Sequence, residues 1–387
     1  MQLAGAAFDA VAGDLGFVAR ADMRRFRATL RLAGLLHDLG HPPLSHGGER
    51  ILPRIGEIRT VQGDPPRRTA THEEMSVALV ANSDLADLIR LEFANEGVRP
   101  DHVAALISGR TPPDDPFQVG GVTLLPLLKQ LIASELDVDR MDYLTRDSYF
   151  TGVAYGRFDK DWLLSHMGAH RSDGEVGLTL DSNAIFTFED FLLSRFHMFL
   201  MVYFHHKTMA YQRMLERFLE GAGRRIRAPA DARRFSDCND EWLFRKIRGS
   251  TDPWASRISR SSPLALAVEA WDDEASDLDR MRDRLEDRLS GPCEWVDSEV
   301  EFSKYFRFGK DDRHAGSPTL MVRVSHHGTR PSLVPVDEYS DLFMRQAGGR
   351  RVLRIYGRED DLKTISRTVG SMLGVQGLKP GGRPVKA

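Results

Sequence analysis

The stretch Leu35-Leu36-His37-Asp38-Leu39-Gly40-His41-Pro42-Pro43-Leu44-Ser45-His46 constrains this chain more than any other. An apolar run leads into three imidazoles and a carboxylate held within ten residues. On a continuing helix His37 and His41, four residues apart, would share a face. Gly40 and the Pro42-Pro43 pair stop such a helix at once. The polar groups therefore stand at a helix end, where side chains can converge. Neutral imidazole beside carboxylate suits a divalent metal of the Mn, Mg, Fe or Zn range. A His-Asp pair alone occurs by chance in many proteins. The density of His and helix breakers around this one, and an acidic cluster far downstream, give it weight.

That second cluster is Asp137-Val138-Asp139-Arg140-Met141-Asp142-Tyr143-Leu144-Thr145-Arg146-Asp147. It belongs to a long helix expected over residues 126–149. Asp139, Asp142, Tyr143 and Arg146 fall at i, i+3, i+4 and i+7 and share one face, with Asp137 pointing elsewhere. A charged helix face is usually just solvated. This one is flanked by apolar Leu131, Ile132, Leu136, Met141 and Leu144, and a half-buried carboxylate needs a cation, from a metal or from Arg.

The remaining pattern is mainly helical. Helices are expected over residues 3–12 and 22–39, the latter with Asp22 as N-cap and Phe26, Leu30, Ala33 and Leu36 facing inward. Residues 51–68 read as a loop. Thr71-His72-Glu73-Glu74 has the form of a capping box and puts His72 in a first helical turn. Helix continues over 76–109, with breaks near Asn82-Ser83 and Gly97–Pro100. A hairpin is expected from 175–181 and 184–187. An apolar helix then spans 188–220, carrying Arg195, Tyr203, His205, His206 and Lys207. Arg195 and His206 would share its face three turns apart and, with Lys207, could clamp phosphates; cations snorkelling from a core helix explain them equally well.

From about residue 228 the composition shifts to a charged helix over 272–289, strands over 319–324 and 351–356, and a last helix over 360–373. The expected fold is mainly α: an all-helical core over 1–227, a smaller mixed α+β lobe over 228–375 that supplies no metal ligand, and a flexible tail over 376–387. The 387 residues suffice for two such parts. A net charge of -3 gives no bulk pull toward nucleic acid, which is not expected as the main partner. Two distant cysteines, Cys238 and Cys293, fit a reducing compartment, and no apolar run reaches membrane-spanning length, so the chain reads as cytoplasmic with no membrane partner. There is no GxxxxGK[ST] or GxGxxG loop to cradle a nucleotide.

Together the two clusters resemble the HD superfamily of metal-dependent phosphohydrolases, and within it the deoxynucleoside triphosphate triphosphohydrolases and their SAM-and-HD-domain relatives. The similar pieces are His37 to His46, then Thr71-His72-Glu73, then Asp137 to Leu144 with Arg146-Asp147, then Val202-Tyr203-Phe204-His205-His206-Lys207, in the family's order and over residues 1 to about 220. The resemblance implies that His37, Asp38 and Asp139 are metal ligands. It implies that His41, His46 and His72 line the phosphate site, with His72 the favoured proton-transfer group. It implies that Arg140, Tyr143, Arg195, Tyr203, His206 and Lys207 hold phosphate and sugar. The implied reaction is hydrolysis of a deoxynucleoside triphosphate to nucleoside and triphosphate. The alternatives are an HD phosphohydrolase acting on another phosphorylated substrate, such as a nucleoside monophosphate, and a catalytically weakened nucleotide-binding or interaction protein. The expected partner is a deoxynucleotide or other phosphorylated small molecule, and a homo-oligomer is left open.

The family's pattern opens with one further ligand histidine, in a segment resembling Arg-Phe-x-His-Ser-Leu-Gly. Met1-Gln2-Leu3-Ala4-Gly5 is similar to the residues just after that histidine, and no His precedes His37. Either the start is placed too late, or the chain is a fragment, or the ligand is truly lacking; the uncapped first helix favours a lost N-terminus. A chain extended upstream to include such a segment should gain roughly 10- to 100-fold in metal affinity and in deoxynucleotide hydrolysis, read by titrating and assaying both forms. Equal affinity and rate would mean that no ligand is missing.

Overall fold

The computed structural model describes the chain except residues 59–67, 113, 272–277, 287, 290–292, 304–319, 326–330, 343–348, 374–378 and 382–387. In chain order the elements are α1 (Gln2–Val11), α2 (Arg20–Leu36), α3 (His72–Asn82), α4 (Asp84–Glu92), α5 (Pro100–Ser108), β1 (Gln118–Val119), β2 (Val122–Thr123), α6 (Leu125–Ile132), α7 (Val138–Thr151), α8 (Lys160–Ser165), β3 (Met167–Ser172), β4 (Glu175–Asp181), α9 (Ile185–Met198) and α10 (His206–Ala222). Next come α11 (Ala232–Phe235), α12 (Asp240–Arg248), α13 (Pro253–Ser259), β5 (Ala265–Trp271), α14 (Leu278–Glu286), β6 (Glu294–Val300), β7 (Met321–Val324), β8 (Ser332–Pro335), α15 (Val336–Tyr339), β9 (Arg350–Gly357) and α16 (Leu362–Leu373).

The chain divides into two compact units, and it passes between them more than once. Residues 1–195, 227–239 and 303–347 form the first; residues 196–226, 240–302 and 348–387 form the second. The composition change near residue 228 lies beside one of the unit boundaries, between residues 226 and 227. Residues 196–226 belong with the later segments, and the stretch around β7 and β8 returns to the first unit. His314, His326 and His327 lie outside the described residues.

The first unit is mainly helical but not all-helical as expected. Its core collects Phe8 and Val11 of α1, Phe26, Leu30 and Ala33 of α2, Leu127 and Leu131 of α6, and Met141 and Leu144 of α7, all buried. A sheet in the order β1-β2-β4-β7-β8, with β3 also paired to β4, joins these helices. β3 and β4 make an antiparallel hairpin from Met167↔Leu180 to Ser172↔Glu175, and β4 runs parallel to β7. In the second unit β5, β9 and β6 form an antiparallel sheet in that order. Met209, Met214, Leu264, Val296 and Tyr356 are one of its core clusters.

Several expected boundaries move, each for a local reason. α2 starts at Arg20 with Ala19 at its cap, and Asp22 sits in the first turn paired with Arg25 at 2.8 Å. The long helix of 126–149 is two, because Asp137 turns back and caps α7: its Oδ1 accepts from Arg140 N at 2.7 Å and its Oδ2 from Ser134 N at 2.9 Å. Gly152, at φ 72°, ends α7. The expected hairpin partner at 184–187 is helical, and β3 takes its place. The apolar helix of 188–220 is interrupted by a π-helical turn over Phe199–Tyr203. Arg195 thus belongs to α9 and His206 to α10, in different units.

The element that positions the site is the turn after α2. The helix ends at Leu36, and His37 N still donates to Ala33 O at 2.9 Å. Ser76 of α3 then bridges the turn: its Oγ donates to His37 O at 2.5 Å and accepts from Gly40 N at 2.8 Å. A Cβ on Gly40 would lie 2.2 Å from His72 O and 2.3 Å from Ser76 N, so only glycine lets the turn reach the backbone of α3. The Thr71 and Glu74 capping box fixes the start of α3, as expected from sequence. Gly40→Ala should cost at least about 1–3 kcal/mol of unfolding free energy, the usual penalty of overpacking, measured by urea denaturation. A change under about 0.5 kcal/mol would contradict this packing.

Candidate metal centre

Two groups of ligand-type side chains meet in the first unit. In the first, one donor atom each from His37, Asp38 and Asp139 lies within 4.8 Å of the others. His37 and Asp38 hang from the C-terminal turn of α2, where unpaired carbonyls favour a cation. Asp139 comes from the first turn of α7, where a helix N-terminus favours a carboxylate. His37 Nε2 is 3.4 Å from Asp38 Oδ1 and 3.4 Å from Asp139 Oδ1. That separation is long for a good N–H···O bond. It matches the edge of a tetrahedron of ligands held about 2.1 Å from an ion, about 3.4 Å. On this ground the three residues fit a divalent metal. Burial works against protonation of His37, but Asp139, Asp38 and Asp137 outweigh it and hold the imidazole above its usual range.

The second group is His41, His46, Glu49 and His72, again with donor atoms within 4.8 Å of one another. Glu49 Oε1 lies 2.8 Å from both His46 Nδ1 and His72 Nδ1. The His41 and His72 rings stack 3.9 Å apart at 11°. Burial first, and then the neighbouring His72 ring, push His41 down to about 4, so this imidazole is neutral at neutral pH. Burial works against ionisation of Glu49, but hydrogen bonds from His46 and His72 overcome it and keep the carboxyl below its usual range. Asp38 joins the two groups, its Oδ1 standing 3.6 Å from His41 Nε2.

Glu49 is the member of these two groups that sequence reasoning misses. It sits with His46 on a 3₁₀ helix, Ser45–Ile51, whose three-residue turn eclipses positions i and i+3. The available signal is His46-Gly47-Gly48-Glu49, two residues beyond the Pro-Pro pair. Its cap, Leu44, and its first residue, Ser45, are non-glycine residues at positive φ, 61° and 50°, and such strain gathers at functional sites.

The other expected site residues fall in different places. Arg140 is buried, with its guanidinium 3.1 Å from Glu135 Oε2 and 3.6 Å from Asp137 Oδ2; it ties the break between α6 and α7 together. Tyr143 is pushed up to about 12 by burial, against the pull of Arg140 and Arg195, which places all three in one electrostatic neighbourhood. Asp142 and Arg146 form an exposed i, i+4 pair at 2.7 Å, the ordinary solvated face. Tyr203, His206 and Lys207 belong to the second unit. The Tyr203 ring lies 5.0 Å from that of Phe199, the His206 carbonyl accepts from Tyr356 Oη at 2.9 Å, and Lys207 is exposed.

Residues 7–147 match the family described as HD domain, and residues 158–266 match the one described as HD associated region. The chain belongs to the HD superfamily. Domains of this superfamily bind divalent metals, and both candidate groups lie within the matched HD domain. The uncharacterised protein MG461 of Mycoplasma genitalium is 29% identical over 184 residues, 48% of this chain and 39% of its own length. A Dictyostelium discoideum protein named deoxynucleoside triphosphate triphosphohydrolase SAMHD1 homolog is 29% identical over 126 residues, 32% of this chain and 20% of its own. The chain thus spans less than two fifths of either relative. A hypothetical protein from Aquifex aeolicus has the same fold, with a TM-score of 0.68 at 22% identity over 95% of this chain and 83% of that one. No described helix is long and apolar enough to cross a membrane.

Asp137 holds this HD site together from behind. It caps the helix that presents Asp139, pairs with Arg140, and is pushed up to about 6 by burial, against the pull of Arg140. Asp137→Ala should cost at least about 1–2 kcal/mol in urea denaturation, for the lost cap alone, and should weaken divalent-metal binding roughly 10- to 100-fold in a calorimetric titration. Asp137→Asn, which keeps one acceptor, should recover part of both. An alanine variant equal to wild type in both would contradict this role.

Proposed function

We propose that the chain is a metal-dependent phosphohydrolase, with a deoxynucleoside triphosphate as substrate and nucleoside and triphosphate as products. The observation that carries the reading is Asp38, whose carboxylate lies 3.4 Å from a metal-type imidazole, His37, and 3.6 Å from the His41 of the stacked pair. Ligands and proton-handling groups are thereby neighbours, as hydrolysis at a phosphorus requires. The resemblance of the motifs to the triphosphohydrolases, and the name of the Dictyostelium relative, support the substrate.

His37, Asp38 and Asp139 would hold the ion, which when bound supplies Lewis acidity and lowers the pKa of water. The protein's own groups divide the remaining work. Glu49 accepts at Nδ1 of His72, which fixes that tautomer and leaves Nε2 as the nitrogen that takes up a proton and, once the ring is an imidazolium, gives it to the departing oxygen. His41, neutral and stacked on His72, buttresses that ring without adding a like charge. His46 shares the Glu49 oxygen, so one carboxylate orients two imidazoles. Arg195 and Tyr143 supply a cation and a hydroxyl to anionic phosphate and sugar. The Arg140 guanidinium, spent on Glu135 and Asp137, acts by positioning Asp139.

Incubation with deoxynucleoside triphosphates and Mn²⁺, followed by ion-exchange separation, should yield deoxynucleoside and inorganic triphosphate in equal amounts. Glu49→Gln should slow the reaction roughly 10- to 100-fold while leaving metal affinity near wild type, because the carboxylate orients His72 rather than the ion. Orthophosphate released from a nucleoside monophosphate, with no triphosphate from any deoxynucleotide, would overturn the substrate and leave a phosphohydrolase. No turnover of either would overturn the enzyme reading.

A further inference from the structure

The first turn of α5 is closed by an acceptor that acid removes. In the usual capping box the third helical residue is Glu or Gln, and its side-chain oxygen accepts from the backbone N–H at the cap. In α5 that residue is His102, whose Nδ1 accepts from Arg99 N at 3.4 Å. Only an unprotonated Nδ1 can accept. A carboxylate keeps its lone pairs down to about pH 4 and an amide at any pH, whereas a free imidazole loses this acceptor near about pH 6.5.

The surroundings of His102 oppose a charge on the ring. The side chain is buried, and buried Phe117 stands edge-on to it at 6.4 Å. Phe117 in turn stacks on Phe26 of α2 at 6.0 Å. The charges that act on the imidazole are Asp101 and Arg99 of its own turn, Arg25 of α2 and Asp114 of the loop before β1; α3, α4 and α6 supply none of them. Asp101 is already engaged by the Arg99 guanidinium, at 3.0 and 2.6 Å. Arg25 donates through Nη2 to Asp22 and to Pro116 O, at 2.8 and 2.9 Å, and its Nε is buried with no partner among the described residues. Burial above all holds His102 below its usual range; Arg99 and Arg25 add to it, and Asp101 and Asp114 pull the other way.

We propose that His102 is an acid-sensitive latch on α5: neutral, it closes the start of the helix and keeps it seated on α2 and α3; protonated, it releases that start. α5 packs on both of those helices. α2 ends at the turn that carries His37, and α3 begins at His72, so the latch bears on the two elements that bring the candidate groups together. The direction follows from linkage. A histidine held below its unfolded value favours the closed form fully above about pH 6.5, and the contribution is lost as pH falls from there through the folded value. Within that window, uptake of one proton favours opening by up to about tenfold per pH unit.

Hydrogen exchange read by mass spectrometry on the full chain, between about pH 7 and pH 5 and corrected for intrinsic amide chemistry, follows the opening of residues 99–106. Wild type should lose at least about tenfold in protection there on acidification. His102→Gln, whose amide oxygen accepts at every pH, should lose less than about threefold. Every other histidine titrates in both proteins, so the difference between them belongs to His102. A second measurement needs no variant: the His102 ring resonance, identified by its contact with Phe117, should titrate below about pH 6.5. The proposal is overturned if both proteins lose protection equally, if wild type loses none, or if His102 titrates at or above that value. None of these outcomes depends on whether the chain turns over deoxynucleotides, so the two readings fail separately.

Discussion

The approach of the turn after α2 to the backbone of α3 is the contact on which the site depends. At Gly40 there is no room for a side chain against His72 O and Ser76 N, and the Ser76 hydroxyl fastens both ends of the turn. That contact does two things at once. It stops α2 so that His37 and Asp38 stand at a helix C-terminus, and it brings the first residue of α3, His72, onto the face of His41. One packing constraint thus creates both groups and sets them side by side. Leu44 and Ser45 take up left-handed backbone immediately afterwards, which turns the chain so that His46 and Glu49 close over the same spot.

Electrostatics complete the arrangement. The end of α2 and the start of α7 present partial charges of opposite sign, and each carries the side chains suited to a shared cation. Asp137, Glu135 and Arg140 form a buried cluster behind Asp139. Such a cluster is a weak source of net stability, because desolvation offsets much of the attraction. Its value is geometric, since it fixes where α7 begins. Glu49 plays the matching part in the second group, with one oxygen setting the tautomers of two imidazoles.

Much of this architecture is legible in the sequence, where local chemistry decides structure. The His37 to His46 stretch, the Thr71 and Glu74 capping box, the breaks near Asn82 and Gly97, and Gly152 closing α7 are all short-range signals, and each has a local physical cause. The features that escape are decided at longer range or by side chains capturing backbone. The cap made by Asp137 splits an otherwise periodic helix, and a π turn interrupts the apolar run after Arg195. The six-stranded sheet depends on β4 meeting β7, some 140 residues later, and a contact at that separation leaves no local mark. Glu49 escapes because its spacing from His46 acts through a 3₁₀ turn rather than the α-helical period along which the sequence is read. The assignment of residues 196–226 to the second unit likewise rests on their packing with strands far downstream, as Tyr356 and Val296 against Met209 and Met214 show.

The central claim is that His37, Asp38 and Asp139, rather than the neighbouring group of three imidazoles and Glu49, hold the metal. The most direct measurement is a crystal structure of the chain soaked with Mn²⁺, with the ion located by its anomalous signal. The expected result is one strong peak at bonding distance, about 2.0–2.2 Å, from His37 Nε2 and from an oxygen of each aspartate. A peak within the His41, His46, Glu49 and His72 group, with none at His37, would contradict it, because the groups given the work of proton transfer would then be the ligands.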